Sequence, residues 1–156
     1  MHLHCDNIGR MITRRDWLVA VVSISFTAAV MTLAGVAKPV MHSSIFNWAD
    51  LQVVPTKVGE RRSVCNAPTP TLANLEIHIT TLNPGEVPHP PHQHADEELM
   101  IVKEGTLEAL QGGKTNIVTT GGLVFEASNE LHGLRNVGTN RATYFVIKFM
   151  PHDLVK

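Results

Sequence analysis

From Leu51 onward the chain alternates apolar and polar side chains in short runs, the period of a half-buried β-strand. Leu72 to Leu82 sets Leu75, Ile77 and Ile79 on one face and Glu76, His78 and Thr80 on the other. Asn83-Pro84-Gly85 then turns the chain. Further strands are predicted over Glu98 to Val102 and Thr106 to Gln111. Gly112-Gly113 makes a two-residue hairpin, and Lys114 to Thr119 returns. Gly121-Gly122 punctuates before Leu123-Val124-Phe125. Leu131 to Val137 follows, then a turn at Gly138-Thr139-Asn140 and a long β-branched and aromatic run, Arg141 to Met150. At least seven short strands at this spacing, with no helical period after Leu51, predict an all-β antiparallel sandwich or barrel.

The pattern before this region is of another kind. Thr13-Arg14-Arg15-Asp16-Trp17-Leu18 opens a run from Trp17 to Ala37 without a charged side chain. A twin arginine ahead of an apolar segment is the pattern of an export signal, and Gly35-Val36-Ala37 offers small residues for cleavage before Lys38. The run is also long enough for an uncleaved membrane anchor. Ser23, Ser25, Thr27 and Thr32 dilute its centre, which favours the signal. Met11 stands at the usual distance ahead of the arginines and is the expected start. The expected organisation is therefore 1–37 as signal or anchor helix, 38–71 as extension and first strands, 72–150 as the barrel, and 151–156 as a tail. The protein is expected in the periplasm or outside the cell, or held at the membrane by that segment alone.

Composition narrows the function. The 156 residues are 44% apolar, enough to bury one core, and the net charge of −1 gives no basis for binding nucleic acid. After cleavage only Cys65 remains, so the domain holds together without an internal disulfide. Cys65 is expected as a small buried apolar residue.

The chemistry concentrates in Gly85-Glu86-Val87-Pro88-His89-Pro90-Pro91-His92-Gln93-His94-Ala95-Asp96-Glu97-Glu98. In extended chain, residues two apart share a face, so His92, His94 and Glu98 can converge on one point. His132 is the one histidine between this cluster and His152, which makes it the natural fourth ligand. Glu97 falls out of phase and is expected outward. His89, in a loop of prolines, is expected at the rim. Arg135 is out of phase with His132 and is expected to face away, and His78 is given no role. With Met100, Val102 and Leu134 in phase with the ligands, the lumen is expected to be largely apolar.

These residues resemble the two motifs of the cupin superfamily, small jelly-roll-like barrels. Gly85, His92, His94, Glu98 and Gly105 follow the first motif; Gly121, Ala127, Asn129, His132 and Asn136 follow the second. The spacer before His92 is six residues rather than five. Ala127 and Asn129 replace the second motif's proline and glycine, and asparagine tolerates the left-handed backbone that the glycine supplies. The resemblance implies one divalent metal inside the barrel, held by His92, His94, Glu98 and His132. Such a ligand set suits Mn, Fe, Ni, Co, Cu or Zn, and without cysteine it is not a closed structural zinc site. Four protein ligands on an octahedral ion leave two open positions, a catalytic arrangement. The resemblance further implies a homodimer and a small-molecule substrate. A dioxygenase-type oxidoreductase is the first expectation; a non-catalytic periplasmic ligand-binding or sensing cupin, or a metal-dependent isomerase or decarboxylase, is the alternative.

Overall fold

A computed structural model describes residues 38–152, and the expected export signal and most of the C-terminal tail lie outside them. One 3₁₀ turn, Trp48–Asp50, precedes nine strands. These are β1 (Val53–Thr56), β2 (Gly59–Ala67), β3 (Leu72–Leu82), β4 (Glu97–Glu104), β5 (Thr106–Gln111), β6 (Lys114–Thr119), β7 (Leu123–Glu126), β8 (His132–Asn136) and β9 (Ala142–Pro151). They form two antiparallel sheets: six strands in the order β1-β2-β3-β9-β4-β7, and three in the order β6-β5-β8. The fold is all-β and antiparallel, as the strand spacing predicts, in the jelly-roll form that the resemblance implies.

The turns obey their sequence. Gly112 and Gly113 take φ 54° and 81°, the two positive angles that a tight hairpin needs. Asn129 stands at φ 60°, alone among non-glycine residues described, so asparagine fills the left-handed position expected of it. Inward side chains of both sheets make one core that includes Leu82, Val102, Leu107, Leu134, Tyr144 and Val146.

The β3 strand turns its polar face to the cavity, and this changes the expected lumen. Glu76, His78 and Thr80 line the cavity; Ile79, on the opposite face, is buried. That outer face is covered because the segment before β1 folds over it: the Trp48 ring meets Phe145 edge-on at 6.4 Å, and Phe145 pairs in register with Ile79. Arg62 and Lys103 flank the same indole at 4.7 and 4.8 Å from its centroid. Apolar side chains on both faces of the sheet thus find cover, and alternation alone does not say which face is the lumen.

Candidate metal centre

Two pieces of backbone bring the histidines together. The loop between β3 and β4 is stitched to β8, where His92 and His132 exchange both N–H···O=C bonds at 3.0 Å. Directly opposed residues of a ladder place their side chains side by side. The Asn129 N–H donates to the carbonyl of His94 at 2.7 Å, which ties the third histidine to the same turn. Ligand atoms of His92, His94 and His132 all lie within 4.8 Å of one another, a spacing that can hold a metal ion.

Hydrogen bonds orient the rings. His132 Nδ1–H donates to the Glu130 carbonyl and His94 Nδ1–H to the Asp96 carbonyl, both at 2.9 Å. A carbonyl only accepts, so each Nδ1 carries the proton and each Nε2 presents a lone pair. His132 Nε2 and His92 Nδ1 are buried with no hydrogen-bond partner. An unsatisfied buried polar atom costs about 1–3 kcal/mol, and a cation shared by these nitrogens removes that cost. Burial, with the neighbouring imidazoles, pushes His92 down to about 4, so its ring is neutral and able to ligate at ordinary pH. These donors fit a metal.

Glu98 is buried on β4 with its Oε2 3.4 Å from His94 Nε2. Lys148 completes the picture. Its Nζ lies 3.1 Å from His94 Nε2 and 3.3 Å from Glu98 Oε2. Cross-strand register explains the arrangement: Glu76 opposes Lys148, Lys148 opposes Glu98, and Glu98 opposes Glu126. One row of charged side chains therefore crosses four strands. Burial raises the Glu126 carboxyl, eased by its bond from Gln111 Nε2. The expectation of a largely apolar lumen is overturned here. Met100, Leu134 and Val146 do line the cavity, but Arg61, Glu76, His78 and Lys148 share it.

The remaining expectations fall as follows. His89 is exposed at the cavity mouth, its ring centroid 4.2 Å from that of His92. Arg135 is exposed and donates from Nε to the Gly85 carbonyl at 3.3 Å. Cys65 is half-buried, and burial raises its thiol. Asn136 is fully buried and structural: its Nδ2 donates to the carbonyls of Leu82 and Asn140, and its Oδ1 accepts from Gly138 N. Lys148 was missed from sequence, though the signal was there. It shares the inward phase of Tyr144 and Val146, and a charge in such a phase needs a partner inside. His78 also gains a place, with Nδ1 3.1 Å from Glu76 Oε1 but poorly aligned for a hydrogen bond.

The fold and this histidine cluster define a small jelly-roll barrel with a possible internal metal site and a cavity of about 410 Å³ opening onto it. The Cupin_2 cupin-domain family matches residues 78–148 of this chain. Among solved structures, KdgF from Halomonas sp. superposes with a TM-score of 0.58 at 18% identity, over 73% of this chain and 100% of that one. The polyketide cyclase RemF from Streptomyces resistomycificus gives 0.56 at 18%, over 69% and 80%. An oxalate decarboxylase mutant from Bacillus subtilis gives 0.55 at 20%, over 71% of this chain and 31% of the decarboxylase. A search of curated protein sequences finds no significant match.

Proposed function

We propose that this protein is a metal-dependent cupin enzyme acting on a small organic molecule, with His92, His94, His132 and Glu98 as the ligands of one divalent ion. The observation that carries this reading is the convergence of three imidazoles at the cavity with two ring nitrogens buried and unpartnered. When bound, such an ion supplies Lewis-acid polarisation or oxygen activation. The chain's own residues do the rest. Carbonyls of Asp96 and Glu130 fix two ring tautomers, and Met100, Leu134 and Val146 shape one wall against the substrate. Arg61, Glu76 and Lys148 make the other wall polar, so the substrate is a polar molecule rather than a plain aromatic.

The test is metal analysis of protein purified from its own compartment, followed by oxygen uptake with catechols and flavonols. Iron, manganese or copper with oxygen consumption supports the dioxygenase form. A redox-inert ion with turnover and no oxygen consumption supports an isomerase or decarboxylase, for which the polar wall is the favouring observation. Bound ligand without turnover in either assay points to a sensing cupin. Export by the twin-arginine route is part of the same proposal, because that route carries folded protein and so fixes the metal before the affinity order favours copper or zinc. Replacing Arg14 and Arg15 with lysine is expected to retain the protein in the cytoplasm; unchanged export would contradict this.

A further inference from the structure

Lys148 holds the two acceptors that the proposed metal needs. Its ammonium sits 3.1 Å from the His94 Nε2 lone pair and 3.3 Å from Glu98 Oε2. The single lone pair of His94 Nε2 cannot serve a lysine and a metal ion at once, and a metal on the Glu98 carboxylate draws down the charge that attracts the ammonium, so metal uptake loosens Lys148 from both. It has little left to turn to. Its other cross-strand neighbour, Glu76, already accepts from Arg61 at 2.7 Å and faces His78 at 3.1 Å. A half-buried ammonium without an acceptor is costly, and the space beside it is the cavity. The charge of that cavity changes in the same direction. Glu60, Glu76 and Glu98 outnumber Arg61 and Lys148 by one, and a divalent ion turns that single negative excess into a single positive one. His78, held down at about 4 by burial and then by Arg61, adds no charge at neutral pH.

We propose that Lys148 is an anion anchor released by the metal: once displaced from His94 and Glu98, its ammonium binds an anionic oxygen of the substrate beside the ion. The substrate class is a small organic anion, a carboxylate or enolate. This rests on the reading that the histidines hold a metal, and it adds what the cavity recognises.

The full protein loaded with zinc, which is redox-inert, is titrated calorimetrically with pyruvate, and zinc affinity is measured by chelator competition. The metal-loaded wild type is expected to bind pyruvate at least about tenfold more tightly than the metal-free protein. Lys148→Met is expected to bind zinc about tenfold more tightly, because a competing positive charge is gone, and pyruvate about tenfold more weakly. Lys148→Arg restores the pyruvate affinity if charge is what matters, and it guards against loss through misfolding. Zinc-loaded Lys148→Met with unchanged pyruvate affinity overturns the proposal. So does a zinc-loaded wild type that binds no pyruvate, or a zinc affinity that does not rise in Lys148→Met. A wild type that takes up no zinc overturns the metal reading beneath it instead.

Discussion

His94 and His132 each commit Nδ1–H to a backbone carbonyl, so their ligating nitrogens are chosen by the main chain. Removing one of these rings takes away a ligand without disturbing the others' tautomers. His94→Ala is therefore expected to lose most of its metal, read by elemental analysis; near-stoichiometric retention would remove His94 from the site. His78 gives a test on pH. Its folded value of about 4 lies below the ordinary imidazole value of 6.5, chiefly through burial. Between those values the unfolded chain binds more protons than the folded one, so stability rises with pH and is lost as pH falls from 6.5 toward 4. One proton gives a slope of at most about 1.4 kcal/mol per pH unit. The metal-free His78→Gln protein is expected to show a shallower slope than wild type in chemical denaturation across that window. Equal slopes would mean that His78 does not contribute to the titration in that window, which His92 shares. At this scale the histidines were legible because spacing of two and a shared phase are properties of extended chain. The inward phase of Lys148 was legible as well, but its partners were not, because they come from strands far away in sequence.

Strands and turns show where alternation misleads. On β7 the exposed positions are Leu123 and Phe125, while Val124 and Glu126 are buried. Hydrophobicity alone would turn this strand over. Register decides instead: Glu126 pairs with Glu98 and Val124 with Met100, both on the lumen side. The turn at Asn129 was legible, since few residues accept φ 60° and asparagine is one of them. Asn129→Gly is expected to keep metal and stability. Asn129→Val is expected to lose about 1–2 kcal/mol and weaken metal binding, because the backbone that holds the His94 carbonyl is strained. Both are read by denaturation with and without zinc. Gly133 matters for another reason: a Cβ there would stand 3.3 Å from Pro91 Cγ. Gly133→Val is expected to push the proline loop outward and lower metal affinity while β8 still pairs with β5. Unchanged affinity would show that the loop gives way freely.

For the barrel as a whole, the site joins the β3–β4 loop, β4, β8 and β9, so bound metal should stabilise the fold it cross-links. At free metal one hundred times its Kd the gain is about 2.7 kcal/mol, and chelator is expected to lower Tm accordingly. A Tm indifferent to chelator would place the ion elsewhere or nowhere. The all-β class was legible in turns and alternation, whereas the covered outer face was not, because the segment carrying Trp48 has no period that announces what it lies on. The seam between loop and β8 has a consequence of its own. Gly85 N reaches the Asn136 carbonyl, Asn136 N reaches that of Glu86, and His92 and His132 hold each other, all through main chain. Those bonds ignore side-chain identity, so residues 87–91 hang between two fixed points. Such a span can change in length while the histidines stay where they are. Variation in this loop is then free to alter what enters the cavity, which makes it the natural cassette for directed evolution of specificity.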